Sequence, residues 1–159
     1  MARKRTRARG WALQVLYAWE ARAGAGASNA SDEASIQRDR LADLLHDFLA
    51  QRNVGVEARE YLQTLITTID LYLESIDRTI AESLLNWRLE RLSIIDRNVL
   101  RLATAEMLHL GIPPRVVIQE AVQLGEKYGT AESPRFINGV LDALMRRAEL
   151  DGARTGDRS

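Results

Sequence analysis

The 159-residue sequence predicts an all-α fold, a compact bundle of about six to seven helices in two closely packed halves. Three observations carry that expectation. Prolines stand only at 113, 114 and 134, so long stretches are free of helix breakers. Ala, Leu, Arg and Glu dominate, and β-branched alternation of period two is scarce. Apolar residues instead recur three and four apart, the spacing that makes one stripe on a helix.

Taken in order, the first amphipathic segment runs from about Arg5 to Arg22, with Trp11, Val15, Leu16 and Trp19 on its stripe. GAGASNASDE, residues 24–33, is small, polar and aperiodic, and reads as a linker. A second helix covers Ile36 to Ala50 through Leu41, Leu44, Leu45, Phe48 and Leu49. A third begins near Glu57 and keeps Tyr61, Leu65, Ile69, Tyr72, Ile76 and Ile80 in phase, which makes it the expected central core helix. Leu84, Leu85 and Trp87 form a short extension or a separate turn. Ser93 then caps a helix whose buried side is Ile95, Val99, Leu102, Met107, Leu108 and Leu110. Gly111 and the Pro113-Pro114 pair end it and start the next, which carries Val117, Ala121 and Leu124 to Tyr128, with Gly129 as an expected left-handed cap. Ser133 and Pro134 start the last helix, Phe136, Ile137, Val140, Leu141 and Leu144 supply its stripe, and Gly139 is expected to permit close packing. The implied organisation is a basic flexible arm at 1–9, one helical domain at 10–150 and a frayed tail at 151–159.

Composition excludes several classes of function. With 46% hydrophobic and 28% charged residues the chain is globular, and no apolar run approaches the roughly 18 residues of a membrane span. Zero cysteines remove disulfides, thiolate nucleophiles and Cys-ligated zinc. No apolar segment follows the basic N-terminus as in a signal peptide, so the cytoplasm is the default compartment. Phosphate-binding glycine motifs are absent, and His46 and His109 stand in different helices outside any metal-ligand spacing. No catalytic constellation, metal site or cofactor is expected.

Charge is informative by position. The net charge is zero, yet the first ten residues hold Arg3, Lys4, Arg5, Arg7 and Arg9 and no acid. In an extended chain residues two apart lie roughly 6.6 Å apart on one side, so the alternating arginines can track a polyanion. On a helix they split into opposed ridges, Arg3 with Arg7 and Arg5 with Arg9, and an arm that stays loose until bound is the preferred reading. A solvated terminus without a ligand and an anionic membrane surface are the competing readings. The second feature is KYGTAESPRFINGVLD at 127–142, a helix stop, tight loop and helix start. There new helix amides with Arg135 and Lys127 suit an anion, and Phe136 suits either base stacking or the core.

The Arg-rich start leading into ARGWALQVLYAWE, then NWRLERLSIIDRNVLRLATAEML, then IPPRVVIQEAVQLGEKYGTAESPRFINGVLDAL closely resembles the NusB family of bacterial transcription antitermination factors. The resemblance covers nearly the whole chain. It implies a non-catalytic, all-helical RNA-binding protein that joins ribosomal protein S ten (NusE) on boxA single-stranded RNA of ribosomal operons, nucleating an antitermination complex on RNA polymerase. Homologues can also form a homodimer that hides the RNA surface. Carried over by position, the RNA-facing residues are Arg3, Lys4, Arg5, Arg7, Arg9, Tyr17, Glu132, Ser133, Arg135 and Phe136, and the protein-partner residues are Leu84, Glu90 and Asp96. Two alternatives stand beside it: a related domain of RNA cytosine methyltransferases, and a structural helical interaction module.

Overall fold

In the computed structural model, residues 2–25 and 33–156 are described, and all of their regular structure is helical. The helices are α1 (Ala2–Ala25), α2 (Glu33–Gln51), α3 (Val56–Ser83), α4 (Ile94–Leu108), α5 (Pro114–Tyr128) and α6 (Ser133–Gly156), with a 3-10 turn at Leu89–Arg91. The chain divides into two compact units, residues 1–73 and 74–159. The division falls inside α3, beside Tyr72, whose φ of −113° and ψ of 19° interrupt the helix.

In the first unit α1 packs on α2, and Leu13, Leu16, Leu41, Leu62, Leu65, Ile66 and Ile69 are fully buried. Helix α1 begins at Ala2, well ahead of Trp11, so residues 2–9 are helical and not a loose arm. The reason is tertiary: Ala8 and Arg9 are both buried, which anchors the basic turn. Most of the expected linker, 26–32, lies outside the described residues, as do 157–159 of the expected tail. Helix α6 runs on to Gly156.

In the second unit α4, α5 and α6 pack pairwise on one another. The most enclosed helix is α4, not the expected α3, because every residue from Asn98 to Glu106 is buried. Its arginine and asparagine look like a solvent face in sequence, but Arg101 and Asn98 are buried and hydrogen-bonded internally. Arg101 Nε and Nη2 donate to the two carboxylate oxygens of Asp77 at 2.8 and 2.9 Å, and Nη1 donates to Asn98 Oδ1 at 3.1 Å. A paired, hydrogen-bonded charge avoids the desolvation penalty that keeps lone arginines outside.

Punctuation decides where these helices stop. Ser93 Oγ accepts the Asp96 amide at 3.1 Å and caps α4 as expected. Gly111 takes φ +64°, a left-handed conformation that glycine adopts without a Cβ clash. Gly129 does not: its φ of −91° and ψ of −160° are extended. Its requirement for glycine is steric, since a Cβ there would run into the Ser133 side chain. Close packing is likewise assigned to Gly125, where a Cβ would lie 2.7 Å from Ile137 Cδ1, and not to Gly139, whose Cβ position meets nothing within 4 Å.

Candidate functional site

The cationic start of α1 is a helix, so its charges diverge. At 100° per residue, Arg3, Arg7, Gln14 and Tyr17 fall on one face and Arg5 and Arg9 on the other. All four residues of the first face are exposed, Tyr17 by 47%. On the other face Arg5 and Arg9 hold their guanidiniums 4.9 and 5.7 Å from the Tyr61 ring centre. Arg9 is only 3% exposed, so the structure withdraws it from the predicted polyanion surface and makes it an anchor of the helix.

Lys4 Nζ donates to Glu57 Oε2 at the start of α3. That hydrogen bond, and then the lysine charge, hold the Glu57 carboxyl below its ordinary value of 4.5. Arg7 lies 5.9 Å from the Trp11 ring centre. A groove of about 520 Å³ runs beside these residues, lined by Arg3, Lys4, Arg7, Trp11 and residues 55–57 at the start of α3. From Arg3 to Tyr17 the exposed face extends roughly 21 Å, at about 1.5 Å per residue.

The α5–α6 corner belongs to the second unit. Ser133 Oγ accepts the Thr130 amide at 2.9 Å, and the Ser133 amide donates to Thr130 O at 3.1 Å. The predicted cap thus turns back into the loop and does not close the start of α6. Ser133 is 1% exposed, so its place is to fix the corner and not to meet a ligand. Glu132 and Arg135 are exposed, and Phe136 is half-buried.

Glu132, Arg135 and Phe136 line a cleft of about 500 Å³ together with Leu84, Trp87 and Gly139. The structure therefore unites one predicted partner residue, Leu84, with three predicted RNA residues. Glu90 lies instead in an adjoining groove of about 830 Å³ with Trp87, Arg88 and Arg78. Arg97 fixes the 3-10 turn beneath it, donating to Leu89 O at 3.2 Å and Leu92 O at 2.9 Å. Asp96 is half-buried in the first turn of α4, and its Oδ1 has no hydrogen-bond partner among the described residues. Sequence reasoning missed Trp87, 61% exposed, and Asn86 beside it. A tryptophan in a stretch without helical phase was the available signal.

Among the described residues no group of three or more His, Asp or Glu side chains is placed to hold a metal ion. No described helix is long and apolar enough to cross a membrane. Helices in both units, with no strand among the described residues, define the class: an all-α protein.

Comparison with known proteins narrows this class. Residues 6–146 match the NusB family. The transcription antitermination protein NusB of Anaeromyxobacter dehalogenans is 36% identical over 159 residues, covering 99% of this chain and 100% of the relative. That of Desulfosudis oleivorans is 39% identical, covering 94% and 88%. Among solved structures, T. maritima NusB has a TM-score of 0.70 at 34% identity, covering 89% of this chain and 90% of that one. The crystal structure of antitermination factors NusB and NusE in complex with dsRNA has a TM-score of 0.71 at 29% identity, covering 92% and 99%. The chain belongs to the NusB family of transcription antitermination proteins.

Proposed function

We propose that this chain binds boxA-type single-stranded RNA jointly with ribosomal protein S ten (NusE), and that the pair helps assemble an antitermination complex on RNA polymerase during rRNA operon transcription. The observation that carries this reading is the exposed face of α1, where Arg3, Arg7 and Tyr17 offer phosphate contacts and a ring on one line. The related NusB and NusE complex with dsRNA supports both the RNA and the protein partner. A duplex presents mainly backbone to such a face, whereas a single strand also offers unstacked bases to Tyr17 and Phe136. The chain acts without catalysis, as an adaptor in the cytoplasm, and needs no cofactor.

Few base-edge contacts are available on these surfaces, so RNA affinity of the isolated chain is modest and the partner supplies the rest. Leu84, Glu90 and Asp96 are the docking residues for S ten in this reading. The test is a titration of RNA with and without S ten. A coupling of about 1–3 kcal/mol, equal in either order of addition, is expected. Asp96→Arg should remove the coupling and leave binding of RNA alone unchanged; identical coupling in parent and variant would place the partner elsewhere.

A further inference from the structure

We propose that the cleft between residues 84–87 and the first turns of α6 is a pocket for one unpaired nucleobase, with Trp87 as a second aromatic wall beside Phe136. The inference rests on RNA being the ligand, and it adds Trp87, Asn86 and Gly139, which the family resemblance did not supply, to Glu132, Arg135 and Phe136, which it did. Trp87 sits between helices, at the rim of the cleft, with most of its ring in water. A tryptophan carries a large apolar area, and leaving it at a cleft rim forgoes burial that a bound partner can recover.

The chemistry of the walls selects the occupant. Phe136 and Trp87 supply π faces, on which any base can stack. Asn86 and Glu132 line the same cleft. An amide both donates and accepts, and a carboxylate accepts from the exocyclic amino group of a base, so the pair can read an edge that a single strand leaves open. Arg135 at the rim provides a cation for the adjoining phosphate. An apolar side chain would offer the Glu132 carboxylate no donor, whereas a base bearing an amino group does.

Gly139 keeps the cleft open. A Cβ there would meet nothing within 4 Å, so the space above that turn of α6 is empty and no close helix contact demands glycine. Trp87 also lines the neighbouring groove with Arg88 and Arg78. A strand leaving the pocket over the indole would meet those two cations next.

The test measures anisotropy of a labelled boxA-type single strand with the parent chain and with Trp87→Ala, Trp87→Phe and Gly139→Leu. Trp87→Ala should weaken binding about 5- to 140-fold, the range that loss of one stacked base gives. Trp87→Phe should restore most of it. Gly139→Leu, which fills the cleft while replacing a poor helix former, should weaken binding to a similar degree with no loss of melting temperature. An abasic site moved along the RNA should weaken the parent at one position where it no longer affects Trp87→Ala. If the parent binds no RNA, the functional reading itself fails. If the parent binds and Arg3→Ala/Arg7→Ala weakens it while Trp87→Ala and Gly139→Leu do not, the RNA reading stands and the pocket is refuted. Loss of S ten binding alone in Trp87→Ala would likewise overturn the pocket, by giving the protein partner the whole cleft and not only its Leu84 edge.

Discussion

Deleting residues 2–9 separates a packed helix start from a loose arm. Those residues include Ala8, fully buried, and Arg5 and Arg9, both over the Tyr61 ring. Removing the Ala8 methyl from the interior costs about 0.8 kcal/mol. The exposed Arg5 contact adds about 0.5–1 kcal/mol and the buried Arg9 contact about 2 kcal/mol. The truncated chain should therefore be less stable by about 3–4 kcal/mol. For a chain of this length each kcal/mol moves the melting temperature by roughly 2–4 °C, so a drop of about 6–16 °C is expected in a circular-dichroism melt. Arg3→Ala/Arg7→Ala, confined to the exposed face, should melt close to the parent, since such surface changes usually stay within about 0.5 kcal/mol each. A truncated protein that melts with the parent would show that Arg9 and Ala8 anchor nothing.

Further outcomes follow from individual contacts. Glu57→Gln should free Lys4 for RNA, steepening the log–log salt dependence of binding by about 0.7. Because the Glu57 carboxyl is held below 4.5, any stability it adds is present above that pH and is lost as pH falls through the lowered value. Parent and Glu57→Gln melts should accordingly differ at neutral pH and converge in acid; a gap that widens on acidification would contradict the pairing. Phe136→Ala should weaken RNA binding by about 1–3 kcal/mol and cost less stability than the roughly 3–5 kcal/mol of a fully buried ring, as its half-buried place implies. Gly129→Ala should destabilise the α5–α6 corner by about 1–3 kcal/mol through steric clash with Ser133, read as a lowered denaturation midpoint.

Helices and their ends were legible in the sequence because they depend on local chemistry. Ser93 before an apolar run, Pro113-Pro114 and Pro134 each act within one turn, and the structure uses all of them at helix starts. What local pattern could not show was tertiary compensation. Arg9 looks like one more solvated cation until Tyr61, more than fifty residues on, covers it. Arg101 and Asn98 look like a polar face until Asp77 pairs with the arginine. The same limit applies to the candidate site: Glu132, Arg135 and Phe136 were visible as a helix start, but that Leu84, Asn86 and Trp87 share their cleft depends on the fold. Gly129 and Gly139 both departed from expectation for the same reason, since steric need is set by neighbours and not by position in a motif: it falls at Gly129 and Gly125 and not at Gly139.

The most direct test of the RNA surface is the salt dependence of single-strand binding by the parent and by Arg3→Ala/Arg7→Ala. With Arg9 buried, Arg5 turned to the Tyr61 ring and Lys4 paired to Glu57, the cations left to the proposed RNA contacts are Arg3 and Arg7 in the first unit and Arg135 in the second. Three phosphates at a slope of about −0.7 each give a roughly 18-fold loss of affinity between about 50 and 200 mM salt. The double variant should retain one contact and lose only about 2.6-fold over the same range. Equal slopes in the two proteins would contradict the assignment of the α1 face as the RNA-binding surface.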